Sequence, residues 1–192
     1  MLSKAVKLRE TSSFMLEWMK APLVTASVFP SSERLARKMV KGLNADIGKV
    51  VELGPGTGVF TRQLLTCGIP EDNLVLIELN RKFANNMQEA YPKAMVVNGA
   101  AESLTRLHLK EVGAVVSGLP FLSMKDKQID DILRGAFQVL KHGGVFIQFT
   151  YGHRCPVKTH ILKHHGLIAE RSSFVLNNFP PASVYHIKKH PH

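Results

Sequence analysis

The run Glu52-Leu53-Gly54-Pro55-Gly56-Thr57-Gly58 has the residue types and spacing to hold a nucleotide-like ligand. Its glycines let backbone N–H groups come close to an anionic or polar group. Lys49-Val50-Val51-Glu52-Leu53 before it reads as a buried strand, and Val59-Phe60-Thr61-Arg62-Gln63-Leu64-Leu65 after it as the first turns of a helix. A second apolar run, Leu74-Val75-Leu76-Ile77, ends on Glu78, 24 residues beyond Gly54. That is close to the spacing of an acid that holds a ribose diol. The glycines fall as G-x-G-x-G, not as the G-x-G-x-x-G of nicotinamide enzymes. A tight strand–helix turn without a ligand is the alternative. Strand, turn, helix, strand and acid in register favour a nucleoside-cofactor site.

Positioning these groups takes a sheet. From Val50 onward, short apolar runs alternate with helical periodicity, which predicts an α/β fold with a mostly parallel, Rossmann-like sheet. The expected strands are Val50–Leu53, Leu74–Glu78, Ala94–Val97, Ala114–Ser117 and Gly144–Tyr151, with Gly143-Gly144 as the turn into the fifth. Helices are expected at Thr57–Cys67, Arg81–Ala90, Glu102–Leu107, Asp126–Leu140 and Pro156–His165. Leu167–Val175 and Ser183–Lys188 are expected to close the sheet as an antiparallel pair. Residues 1–45 fall outside this repeat and predict a helical N-terminal extension broken at Pro22 and Pro30. Residues 46–192 are expected to form the cofactor-binding domain.

A net charge of +10 on 192 residues implies an anionic partner, whether nucleic acid, an acidic membrane surface or an acidic small substrate. Cys67 and Cys155 stand far apart without metal-ligand spacing, which argues for an intracellular chain without a disulfide framework. No stretch reaches the roughly 18 apolar residues of a membrane span. Glu10, Glu17 and Lys20 interrupt any export signal. The expected location is cytoplasmic, with peripheral contact to the inner membrane.

Several pieces together resemble the class I S-adenosylmethionine (SAM)-dependent methyltransferases, and more narrowly the bacterial phospholipid N-methyltransferases. They are Phe14 and Trp18 before Pro22, Phe29-Pro30-Ser31-Ser32, Val51–Gly58, Ser117-Gly118-Leu119-Pro120-Phe121, Gln148-Phe149-Thr150-Tyr151-Gly152 and Asn178-Phe179-Pro180-Pro181-Ala182. The ribosomal RNA adenine dimethylases are a similar family. The resemblance implies SAM as cofactor, with Glu52 and the Gly54, Gly56 and Gly58 turn near its methionine part and Glu78 on its ribose. Ser31 and Ser32 either cap a helix or touch the cofactor carboxylate. The family's third strand ends in an acid on the adenine amine. Here Ala100 stands at that position, so Glu102 or the backbone near Ala101 must serve the ring.

The resemblance also places an acceptor beside the cofactor at Ser117 and Leu119-Pro120-Phe121. Adenine methyltransferases carry Asn or Asp where Ser117 stands, and a serine matches a planar amino group less well. A phospholipid amine must lose a proton before attack. Tyr151 and His153 are the expected acceptors or relays, and the Tyr151 ring is an alternative partner for the developing ammonium. Phe14, Met15, Trp18 and Met19 share one helical face near Lys4, Lys7, Arg9 and Lys20, a pattern that fits an anionic lipid interface or a lid over the cofactor. Trp18 is thereby a candidate substrate contact. No aromatic-plus-basic RNA motif is present, so a phospholipid is favoured over nucleic acid. His160 and His164 share a helix face with His165 adjacent, but no Glu or Cys completes a zinc set, and no metal is expected.

Overall fold

Central strands that are apolar throughout need cover on both sides, and this requirement sets the architecture. The computed structural model describes residues 30–176, 178 and 180–191. Its strands are β1 (Lys49–Leu53), β2 (Leu74–Glu78), β3 (Met95–Asn98), β4 (Val112–Ser117), β5 (Leu140–Tyr151), β6 (Leu167–Val175) and β7 (Ala182–Lys189). Its helices are α1 (Pro30–Met39), α2 (Val59–Thr66), α3 (Arg81–Ala90), α4 (Asp126–Val139) and α5 (Thr159–His164). The strands form one sheet in the order β3-β2-β1-β4-β5-β7-β6. β1 to β5 pair in parallel, and β7 runs antiparallel between β5 and β6. The α/β class and the closing antiparallel pair are as the sequence predicts.

Side chains alternate between the two faces of each strand. Val51, Val75, Ile77 and Val115 pack with Ile129, Ile132, Leu133 and Ala136 of α4. Their neighbours Val50, Leu74, Leu76, Ala114 and Val116 pack with Leu35 and Met39 of α1, Leu64 of α2 and Met87 of α3. Helix α1 therefore shares a core with the sheet. It begins at Pro30, a favoured first helical residue, so Ser31 and Ser32 lie in the first turn and not at the cap position before it. Trp18, with the rest of the expected N-terminal interface helix, lies outside the described residues, as does Phe179.

Three local expectations change. The Glu102–Leu107 segment is a 3-10 helix from Ala101 to Leu107. Helix α2 begins at Val59 because Gly58 takes a left-handed conformation (φ 76°) that stops the helix extending back to Thr57. Gly143-Gly144 does not open the fifth strand. β5 already pairs at Leu140 with Val112, and its next partner pair is Val145 with Ala114. The residues between bulge out of the ladder.

Opposite this bulge, Gly113 has no room for a side chain. A Cβ there would overlap the Ile47 carbonyl oxygen, which also accepts a hydrogen bond from Lys141 Nζ at 2.9 Å. Gly113→Ala is expected to cost about 1–3 kcal/mol through overpacking, read as a lowered midpoint in thermal or urea denaturation.

Candidate cofactor and acceptor site

The parallel strands change order between β1 and β4, and in such sheets ligands bind at the carboxyl ends flanking that reversal. The two loops there touch. Gly118 N donates to Leu53 O at 2.8 Å, and a Cβ at Gly118 would lie 2.8 Å from Gly54 O. Gly54, Gly56 and Gly58 all have positive φ, at 69°, 54° and 76°, a region that disfavours any residue with a Cβ. This sharp turn aims the N-terminus of α2 at the open edge of the sheet, and a Cβ at Gly56 would meet no atom within 4 Å.

Two carboxylates lie beneath the turn. Glu78 closes β2, nearly buried, and accepts Gly56 N at 3.0 Å on one oxygen and Asn80 N at 2.8 Å on the other. Asn80 also caps α3 by accepting the N–H groups of Lys82 and Phe83. Asn98, at the end of β3, donates through Nδ2 to the carbonyls of Glu78 and Leu79. The acid is therefore held from three strand ends.

Glu52 is fully buried. Thr61 Oγ1 donates to its Oε2 at 2.6 Å, while Oε1 has no hydrogen-bond partner among the described residues. Burial pushes its carboxyl from the ordinary 4.5 up to about 7; Thr61 opposes this and Glu78 adds to it. The unpaired oxygen of this acid places negative charge beneath the glycine turn when ionised, although no Glu52 atom is exposed for direct contact. Both acids are acceptors when ionised, which suits a ligand carrying a hydroxyl pair and positive charge. These acceptors and the glycine turn fit SAM.

At the expected adenine end, Ala100 is extended and its carbonyl accepts from the Ser103 N–H and hydroxyl, while Ala101 is buried. Glu102 is half-buried and accepts Gln128 Nε2 at 3.3 Å.

On the expected acceptor side lies a cavity of about 220 Å³ between Gly118–Leu122 and Phe149–Tyr151. Leu119, Pro120 and Tyr151 line it. Phe121 borders it too, but its ring is buried and stacks on Phe146 at 6.0 Å between centroids, so it is a core residue and not an open platform for a headgroup. Ser117 is fully buried and its Oγ accepts from Leu119 N at 3.3 Å. It shapes its own turn, and this structure gives the expected contact with an acceptor no opening. Tyr151 packs edge-on against Phe149 at 5.6 Å, and desolvation raises its phenol above the usual value, so the hydroxyl keeps its proton at neutral pH.

Sequence reasoning missed Thr61 and Gln148. Gln148 is fully buried in β5 and donates to Leu119 O at 2.9 Å and Phe149 O at 2.8 Å, tying the two cavity walls together. The available signal was a polar residue inside an otherwise apolar strand.

Comparison with known proteins bears on the fold and the class of enzyme. Residues 50–144 match the family model described as a methyltransferase domain. Ornithine lipid N-methyltransferase of Singulisphaera acidiphila is 29% identical over 182 residues, 90% of this chain and 92% of the relative. The fold is shared with a TehB-like SAM-dependent methyltransferase of Corynebacterium glutamicum (TM-score 0.62, 14% identity, 95% of this chain and 99% of that one). It is shared also with the glycopeptide N-methyltransferase MtfA complexed with SAM (TM-score 0.63, 13% identity, 88% and 98%). The domain match, the relative and the fold together support a SAM-dependent methyltransferase. Its cofactor is SAM.

The raised Glu52 pKa gives a test in the cofactor-free protein. The native state holds this proton more tightly than the unfolded chain does. Its favourable contribution is therefore complete below about pH 4.5 and is lost as pH rises through about 7. That rise corresponds to roughly 3 kcal/mol. In urea denaturation, Glu52→Gln should remove much of the decline in stability between pH 5 and pH 8. In calorimetry it should weaken SAM binding.

Proposed function

We propose that this chain N-methylates the amine of a lipid headgroup, of the phosphatidylethanolamine type, at an anionic membrane surface. The observation that carries this reading is where large apolar side chains are left bare. Among the described residues these are Leu79, Met95, Leu122, Phe174 and Leu176. Leu79 follows the end of β2 and Leu122 lies in the turn after β4. Phe174 and Leu176 flank the end of β6, which pairs through Ala182 of β7 with Tyr151 at the end of β5. All but Met95 thus ring the edge of the sheet on which the site opens. Exposed apolar groups gathered at one site opening mark an interaction surface.

Charge supports the same partner. Arg34, Arg37, Lys38 and Lys41 line a cleft with Phe174, Val175 and Leu176, so cationic and apolar groups stand together at one end of this rim. Such a pairing suits an anionic bilayer, where buried apolar area and basic side chains both add to binding. The relative named as an ornithine lipid N-methyltransferase points to a lipid amine as well.

The bound cofactor supplies an electrophilic methyl carbon on a sulfonium sulfur. The chain's residues must present a neutral amine to it. Leu119, Pro120 and Phe149 offer apolar walls that disfavour the charged form of an amine whose ordinary pKa is about 10. Tyr151, held as a neutral phenol, orients the amine and offers its ring to the charge that develops on methylation. It is not the base. The proton passes to solvent or to His153, exposed two residues on.

The test is methyl-labelled SAM with vesicles of anionic lipid that carry both phosphatidylethanolamine and ornithine lipid. Label in the methylated headgroups is expected. Label in ornithine lipid alone would change the lipid class, and label in no lipid would overturn the proposal. Tyr151→Ala should lower turnover about twofold to thirtyfold, the equivalent of roughly 0.5–2 kcal/mol, with Tyr151→Phe retaining the share owed to the ring and losing that owed to the hydroxyl. Leu122→Asp with Leu176→Asp should weaken vesicle binding in co-sedimentation.

A further inference from the structure

Helices α4 and α5 carry a side-chain cluster outside the methyl-transfer site. Asp130 Oδ1 lies 3.1 Å from His164 Nδ1 and 2.8 Å from His165 Nε2. One ligand atom from each of the three residues lies within 4.8 Å of both others. His165 is only 12% exposed and Asp130 26%, so two of the three groups are held by their surroundings while His164, at 70%, reaches in from solvent. One turn toward the start of both helices the pattern repeats more loosely. There Asp126 lies 3.7 Å from His160 Nε2 and accepts Lys158 Nζ at 2.9 Å.

Without an ion, the Asp130 carboxylate serves as acceptor for both imidazoles. Burial pushes its carboxyl up, but the hydrogen bonds and charge of the two histidines outweigh that and hold it below the usual range. The same convergence suits a cation. Ligand atoms bonded at about 2.0–2.1 Å to a tetrahedral or octahedral ion stand roughly 3 Å apart, which matches the two nitrogen–oxygen separations. Two imidazoles and one carboxylate form a borderline-soft set that prefers zinc, nickel or copper to magnesium or calcium.

We propose that Asp130, His164 and His165 bind a divalent transition-metal ion of the zinc class, with solvent completing the coordination. The ion ties α4 to α5. Helix α4 follows the Gly118–Met124 loop and α5 follows the Gly152–Lys158 loop, so it joins the two helices that descend from the two walls of the acceptor cavity. The sequence alone shows no third ligand for the histidines. The fold supplies Asp130 from 34 positions before His164.

The test is zinc titration by calorimetry on the full chain, stripped with chelator, at pH 7.5. One tight site is expected, with a melting temperature raised by a few degrees and no comparable binding of magnesium. Loss of an outer-shell partner of a metal site already costs about 10–100-fold in affinity, so Asp130→Asn and His165→Gln should each weaken zinc binding at least tenfold. His142→Gln and His190→Gln, outside the cluster, should leave it unchanged. Far-UV circular dichroism on each variant separates loss of the site from loss of fold, and the visible bands of the cobalt-loaded protein report the ligand set directly. Equal zinc affinity in wild type and in both folded cluster variants would overturn the proposal, as would loss of the tight site in His190→Gln.

Discussion

A buried carboxylate that the protein only half satisfies is the constraint on which the site depends. Glu52 has no access to water, one hydrogen bond from Thr61 and a second oxygen with no partner among the described residues. Left to itself such a group favours its neutral form, and its carboxyl is accordingly raised to about 7. The neighbouring Glu78 adds negative charge to the same small volume. A cationic cofactor relieves both, whereas a neutral one relieves neither. We propose that the two acids bias the site toward a ligand that carries positive charge.

Geometry above the acids follows from the same turn. Three left-handed glycines reverse the chain within a few residues, which sends α2 back along the sheet and leaves the Gly56 N–H on Glu78. The reversal also lets Gly118 close onto Leu53 and Gly54, so the loop after β4 starts at a fixed height. Gln148 then pins Leu119 to the end of β5. The glycine turn, the Gly118–Phe121 loop and the end of β5 are thereby linked through hydrogen bonds between adjacent strand ends. This is the kind of rigid support that alignment of a nucleophile with a methyl carbon requires.

Features with a local physical cause were legible in the sequence. β2, α3 and β6 occupy the predicted spans because each is a run of one periodicity bounded by turn residues. The glycine turn and Glu78 announce themselves by spacing. Features that depend on which way a side chain faces were not legible. Phe121 looks like a platform in the sequence, yet it turns inward onto Phe146; Ser117 looks like an acceptor, yet its own turn consumes it. Thr61 meets Glu52 only because α2 folds back across β1. Asp130 meets His164 and His165 only because the fold brings the end of α5 near α4. Such long-range pairings carry no mark in local pattern.

We propose that Glu52 is about half protonated at neutral pH in the free site and ionised when the cofactor is bound. Carboxyl-carbon NMR titration of Glu52, with and without SAM, measures this directly. A pKa near 7 in the free protein that falls toward or below the ordinary 4.5 when SAM is bound is the result expected. The same pKa in both states would contradict it, because the acid would then have no electrostatic part in holding the cofactor.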